Sequence, residues 1–359
     1  MGGAPGDAVC SVREAVRAGG LLASGEPLIV LLSGGRDSVC LLDVALALQP
    51  PQTVTALHLN YGLRDGAGAD ERHCALLCER LGVALRVVRA DRQSTAQSAA
   101  GRETGAGEGT PPAGRQEGGN VQAWAREERY RAACELAREL DSAGRVPVAS
   151  GHTASDQVET ILYRLAASPG RRALLGMAPS DRTRFGQRLI RPLLGITREQ
   201  TTAYCRQREL GWCEDESNLD PTYARARVRG DLVPALRAVH PAAESNVLRT
   251  AALLREEAAV LEELVQEELD GARRVALERL GAMPAALARL VVVRLAEEAA
   301  GTFVPQAGGR VDELLALARR GGRAELHLGG GAGAVIESGY LRVVKLPPRT
   351  SRRDERESN

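Results

Sequence analysis

Two rhythms of apolar positions alternate along the first half of the chain. Leu28 to Leu32 is an unbroken, partly β-branched apolar run, the pattern of a strand buried on both faces. After Ser33-Gly34-Gly35-Arg36-Asp37-Ser38 the spacing becomes helical, with Val39, Leu42 and Leu46 on one face. Val54 to Leu59 predicts a second strand, Asp70 to Leu81 a helix, and Val83 to Val88 a third strand. A short helix, Val9 to Leu22, precedes them. Further on, the pattern predicts a helix over 121–140, a short strand at Val146 to Ala149, and a helix over 154–166 that opens after a Thr153 cap. Such alternation predicts an α/β fold with a doubly wound, Rossmann-like parallel sheet. Ligands of these sheets sit beyond the carboxyl ends of the strands, here the Gly-Gly loop and His58 to Arg64.

The rest of the chain divides by composition. Residues 92–120 are rich in Gly, Ser, Thr, Ala and Pro, cannot bury a core, and read as a flexible insertion over or near the site. That gives a catalytic domain over 1–240 and a charged helical connector over 241–274. A smaller, mainly helical domain spans 275–346, with helices at 284–300 and 308–320. It ends in a segment, ELHLGGGAGAVIESGYLRVVKL, that alternates like a hairpin. The polar tail, 347–359, predicts disorder.

Composition narrows the chemistry. Of 359 residues 44% are hydrophobic, enough for sizeable cores, but only 3% are aromatic, which argues against base-stacking platforms. The net charge is +1, so no global basic field exists, and the sole lysine is Lys345. The seven cysteines form no CxxC pair, and Cys74 and Cys78 lack nearby histidines for a zinc site. No apolar run reaches membrane-spanning length and no signal peptide is visible. Unpaired cysteines in odd number fit a reducing, cytoplasmic setting. A homodimer is compatible with the chain, whose oligomeric state the sequence leaves open.

The strand–glycine turn–helix unit at 28–42 carries the sharpest signal. Ser33, Gly34, Gly35, Arg36, Asp37 and Ser38 stand where backbone N–H groups and a helix N-terminus favour an anion. Asp37 beside a phosphate makes sense through a bridging Mg²⁺. The loop is neither GxxxxGK[ST] nor GxGxxG. Arg126 and Arg129 lie three apart on one helix face, a spacing able to grip a pyrophosphate or carboxylate. In Gly151-His152-Thr153-Ala154-Ser155-Asp156-Gln157-Val158-Glu159-Thr160, Asp156 and Glu159 share a face near a helix start, suited to a cation, Mg²⁺ or an incoming ammonium. His152 at the strand end is placed for acid–base work. Between 164 and 209, ten arginines stand against three acids, a local excess that suggests a nucleic-acid surface including Arg171, Arg172 and Arg191. Arg225 and Arg227 follow in Tyr223-Ala224-Arg225-Ala226-Arg227-Val228-Arg229.

SGGRDS resembles the loop of the PP-loop ATP pyrophosphatases. Together with HLNYGLR, AREERY, GHTASDQVET, GRRALLGM, RPLL and EDESNLDPTYARARVR, it resembles the tRNA(Ile)-lysidine synthase family over about residues 25–235, and more weakly to about 345. The resemblance implies ATP as substrate, with Mg²⁺ on Asp37, and adenylation of the carbon-2 oxygen of the wobble cytidine in a CAU anticodon of tRNA(Ile). Free L-lysine then displaces AMP. It implies that Ser33 to Ser38 hold the ATP phosphates, that Asp37, Arg126 and His152 are catalytic, and that Asp156 and Glu159 bind lysine. It also implies tRNA contact by Arg171, Arg172, Arg191, Arg225 and Arg227, and by the C-terminal domain. Two positions depart from the family pattern, with Ser155 where an acid is frequent and Tyr61 where a histidine is. A tRNA thiolase of the same superfamily and a tRNA-binding protein without catalysis are the competing expectations; the first lacks its CxxC pairs here, and Ser155 is the hint for the second.

Overall fold

The computed structural model describes residues 7–23, 25–62, 66–90, 117–167, 170–183, 185–214, 222 and 224–347. Most of the insertion expected at 92–120 lies outside them, as do Arg64, Arg184, Asp215 to Asn218, Tyr223 and the tail from residue 348. The chain forms two compact units, one up to Ala252 and one from Leu253.

In the first unit, α1 (Ala8–Ala18) leads into β1 (Leu28–Leu31), α2 (Arg36–Leu48), β2 (Val54–Asn60), α3 (Ala67–Leu81) and β3 (Ala84–Arg89). Then come α4 (Glu117–Leu140), β4 (Val148–Ala149), α5 (Ala154–Ala167), the single turn α6 (Arg171–Leu174), β5 (Ser180–Arg182), β6 (Arg188–Ile190) and α7 (Arg198–Gln207). The unit closes with α8 (Ala224–Arg227), a π-helical turn Val228–Leu232, α9 (Val233–Val239) and the start of α10 (Ala243–Leu269). The sheet order is β3-β2-β1-β4-β6-β5, parallel except for the β5–β6 pair.

The apolar run at 28–32 has its physical reason in this sheet. Successive side chains of a strand face opposite ways. Leu28, Val30 and Leu32 enter one core with Val12, Val16, Leu41, Cys74, Leu77 and Tyr204. Ile29 and Leu31 enter another with Tyr130, Ala133, Leu136, Val148 and Leu189. With helices on both faces, no polar position survives in β1. Each such buried aliphatic contributes roughly 1.5–3 kcal/mol of transfer free energy. A buried carboxylate, Asp43, ties the first core together, accepting hydrogen bonds from Arg13 (3.1 Å), Arg208 (3.1 Å) and Tyr204 (2.5 Å). Burial works against its charge, but these donors outweigh it and hold its pKa below the usual range.

Because β1 lies between β2 and β4, strand order reverses there, and a crevice opens beyond the carboxyl ends of those strands. Strands β5 and β6 and helix α7 occupy the arginine-rich stretch for which the sequence predicted only a surface.

The second unit holds α11 (Leu277–Ala282), α12 (Ala285–Ala300) and α13 (Val311–Arg319) with an antiparallel sheet, β7-β10-β9-β8. The strands are β7 (Arg274–Ala276), β8 (Ala324–Gly329), β9 (Ala332–Glu337) and β10 (Tyr340–Lys345). The segment expected as a hairpin forms three antiparallel strands, β8, β9 and β10, the last two joined by Ser338 and Gly339, both at positive φ as a two-residue turn requires. Its core joins Val291, Val292, Leu295, Leu314, Leu328, Ile336 and Leu341.

Candidate active site

At the strand-order reversal lies a cavity of about 760 Å³. Its wall includes Ser33, Gly35, Arg36, Asp37 and Ser38 after β1, His58 to Tyr61 at the end of β2, and Ser150, Gly151, His152 and Asp156 after β4. Arg129, Arg198, Cys213 and Arg229 are also on it, with the carboxylates Asp70 and Glu214.

The glycine loop is built by its own serines. Ser38 Oγ donates to Gly35 O (2.8 Å) and accepts from Ser33 N–H (3.2 Å), while Ser33 Oγ accepts from Gly35 N–H (3.3 Å). Gly34 stands at φ +86° with Cys74 Sγ 3.3 Å from where a Cβ would be, so this turn requires glycine. Gly35 caps α2 without a side-chain acceptor, leaving the helix N-terminus to an anion. Gly151 presses directly on that terminus. A Cβ there would come within 2.9 Å of the Asp37 carbonyl and 3.0 Å of Ser38 N.

Asp37 projects from the first turn of α2. Its Oδ1 accepts from Thr201 Oγ1 (2.5 Å) and Arg36 Nε (3.2 Å), and Arg36 Nη2 is 3.4 Å from Oδ2.

Asp156 and Glu159 do share a face of α5, as their spacing predicts, but arginines hold them. Arg198 reaches Asp156 Oδ1 (3.0 Å) and Glu159 Oε1 (3.1 Å). Arg229, on the π-helical turn, forks onto both oxygens of Glu159 (2.7 and 2.9 Å). That hydrogen bond raises the Arg229 pKa. Asp156 Oδ2 accepts from the backbone and hydroxyl of Thr153, both at 2.8 Å. Asp156 lines the cavity, whereas Glu159 is buried and is not on its wall. Glu159, expected with Asp156 to bind lysine, thus has both oxygens on arginines, as Asp156 has its own on Arg198 and Thr153.

His152 sits on the wall with Nδ1 2.8 Å from Ser150 Oγ. Burial pushes its pKa down to about 4, assisted by Arg191, Arg129 and Arg126 and opposed by Asp156. His58, buried at the end of β2, places Nδ1 2.9 Å from Leu32 O, which fixes the tautomer with a proton there.

The two departures from the family pattern acquire reasons. Ser155 is buried off the cavity, and its hydroxyl accepts from the N–H of Arg198 at the start of α7 (3.2 Å). Tyr61 packs edge-on against Trp124, donates to Ala125 O (3.0 Å) and accepts from Arg129 Nε (3.1 Å). This contact sets Arg129 on the wall. Arg126, the arginine expected to be catalytic, is exposed, lies over the Tyr130 ring at 5.3 Å, and is not on the wall. Sequence reasoning missed Thr201, Arg198 and Arg229 as site residues. The only local signal was the capping box Thr197/Gln200 that starts α7.

The expected RNA-facing arginines separate. Arg172, Arg225 and Arg227 are exposed, Arg227 donating to Thr222 O, and Arg171 is partly buried. Arg191 is corrected. It is 4% exposed and donates to Ala178 O (2.6 Å), so it supports the loop after α6 rather than a surface. Gln157 clamps the same loop, through Met177 N–H and O (2.6 and 2.9 Å).

Residues 12–236 match the PP-loop domain family. A tRNA(Ile)-lysidine synthase of Salinispora tropica is 33% identical over 346 residues, covering 94% of this chain and 96% of that protein. One from Gloeobacter violaceus is 36% identical over 291 residues, 79% of this chain and 81% of that protein. One from Chromobacterium violaceum is 36% identical over 244 residues, and the match spans 50% of that longer relative. Among solved structures, the U34-tRNA thiolase NcsA of Methanococcus maripaludis superposes with a TM-score of 0.53 at 16% identity, over 70% of this chain and 80% of that one, a likeness of fold alone. With a family match over most of the first unit and a relative aligned along nearly its whole length, this chain belongs to the PP-loop family and, within it, to the tRNA(Ile)-lysidine synthases.

Proposed function

We propose that the cavity adenylates the carbon-2 oxygen of the wobble cytidine in the CAU anticodon of tRNA(Ile), and that free L-lysine then displaces AMP to give lysidine, in the cytoplasm. One observation carries this. The Ser33–Ser38 anion loop and the His152/Asp156 block line a single cavity at the strand-order reversal. An amide-like oxygen is a poor leaving group, and joining it to AMP makes it a good one.

Ser33, Gly34, Gly35, Arg36 and Ser38 would hold the pyrophosphate portion of ATP, through backbone N–H groups, hydroxyls and the α2 terminus. Asp37 would hold Mg²⁺. The described residues contain no group of three or more metal-binding side chains. Asp37 shares the cavity wall with Ser33, Gly35 and Ser38, where its carboxylate would be one ligand of such an ion. When bound, the cation neutralises charge on the leaving pyrophosphate. Arg129 and Arg229 add fixed positive charge at the wall.

Lysine recognition centres on Asp156, the carboxylate of the pair that reaches the cavity, with Glu159 acting by anchoring Arg198 and Arg229. His152, its pKa held low by burial, would stay neutral and orient the attacking amine as a hydrogen-bond partner. Exposed Arg172, Arg225 and Arg227 would meet the RNA backbone. Members of the family join an amine to RNA; the thiolase alternative would need a sulfur source.

The test is a reaction with ATP labelled at the α-phosphate, unlabelled lysine and a CAU transcript. Transfer of the label to the transcript without lysine, and release of labelled AMP that needs both transcript and lysine, are expected. Formation of ADP, or AMP release indifferent to the transcript, would overturn the proposal.

A further inference from the structure

Thr201 is fully buried on α7, behind the cavity and outside its wall. Its hydroxyl is 2.5 Å from Asp37 Oδ1 and 3.0 Å from Arg198 O. A hydroxyl donates one proton, and a carboxylate is the stronger acceptor of the two. The neighbouring Thr202 satisfies its own hydroxyl on Arg198 O at 2.7 Å. Thr201 could therefore be satisfied by its own helix, and the short contact to Asp37 is not needed to bury it.

The other partner of Asp37 is of a different kind. Arg36 meets both carboxylate oxygens from the adjacent position at 3.2 and 3.4 Å, with its side chain 21% exposed. A long, partly solvated arginine orients a carboxylate weakly. Thr201 has a short β-branched side chain on a buried helix face, and α7 is tied to the same turn again by Cys205 Sγ, 3.6 Å from Arg36 O.

We propose that Thr201 is a positioning residue for the ATP-dependent step. By holding Oδ1 it fixes the Asp37 carboxylate, so that Oδ2, met by the partly solvated Arg36 at 3.4 Å, would be the oxygen offered to a divalent cation. This rests on Asp37 being the cation-holding carboxylate, as proposed above.

Mn²⁺ serves as the probe, its binding followed by electron paramagnetic resonance in the complex of the full chain with a non-hydrolysable ATP analogue. Thr201→Val should weaken Mn²⁺ binding about tenfold, the worth of a hydrogen bond to a charged group. Affinity for the analogue without metal should stay as in the wild type, and Thr201→Ser should restore Mn²⁺ binding. Asp37→Asn separates the two layers. Wild-type Mn²⁺ affinity in Thr201→Val alongside lost affinity in Asp37→Asn would overturn the role of Thr201 alone. Unchanged affinity in Asp37→Asn would overturn the Asp37 assignment, and the Thr201 inference with it. Equal loss in Thr201→Val and Thr201→Ser would point to packing rather than the hydroxyl, and would also refute the inference.

Discussion

The contact between Gly151 and the start of α2 gives a sharp perturbation, because one methyl group tests whether the two halves of the site must touch. Built onto Gly151, a Cβ lies 2.9 Å from the carbonyl carbon and oxygen of Asp37 and 3.0 Å from Ser38 N. Favourable separations between such atoms are about 3.5–4.0 Å, so the strand-end loop must retreat by roughly 0.5–1 Å. The obstacle is backbone at a helix terminus, which cannot rotate away as a side chain can. Overpacking of this kind costs about 1–3 kcal/mol. A displacement near 1 Å between groups that must act together costs on the order of 100-fold in rate. Gly151→Ala should therefore lower the melting temperature measurably and cut transcript-dependent AMP formation by roughly 10- to 100-fold. Gly195→Ala is the control, since its Cβ would meet nothing within 4 Å and its φ is not positive. That change should be neutral, or stabilising by about 0.4–1 kcal/mol through the unfolded chain. A Gly151→Ala protein with wild-type rate and melting temperature would refute the reasoning, because the α2 terminus and the His152 loop would then not depend on close approach.

Two other outcomes follow from the charged groups. Glu159→Ala strands Arg198 and Arg229 against a buried face, and breaking a buried pair costs about 3–5 kcal/mol; these arginines keep some solvent access, so a loss near the lower figure is expected in urea denaturation, and a loss under about 1 kcal/mol would contradict the anchoring role. His152 falls from an ordinary pKa of 6.5 to about 4 in the folded chain, so between those values the unfolded chain binds the extra proton. Its contribution is fully present above about pH 6.5 and is lost as pH drops toward 4, at no more than about 1.4 kcal/mol per pH unit. Stability measured against pH should flatten over this window in His152→Gln, and an unchanged slope would count against a depressed His152.

Local pattern made much of this site readable. β1 shows as an apolar run because both its faces are buried, and the loop after it carries its chemistry in six consecutive residues. Asp156 and Glu159 fall on one face by helical geometry alone. Their partners do not follow from any local rule, since Arg198 and Arg229 lie 42 and 70 residues beyond the carboxylates they hold. Strands β5 and β6 have three residues each, too few for a period to emerge. Helix α7 is polar apart from a few positions such as Tyr204 and Cys205, so only its cap announced it. Arg191 resembled its exposed neighbours in sequence, and its burial is decided by the carbonyl of Ala178, which the fold brings to it. The spacing of Arg126 and Arg129 marked the right helix, but Tyr61, directly after strand β2, selects which of the two reaches the cavity.

The most direct measurement is covalent transfer of labelled lysine to RNA. Full-length protein, Mg-ATP, radiolabelled L-lysine and a tRNA(Ile) transcript bearing CAU should yield lysine attached to the wobble cytidine, located by nuclease digestion and mass spectrometry, with none in a transcript changed at that base. Binding of the transcript and ATP with no lysine attached, or equal attachment to the changed transcript, would contradict the proposed ligation.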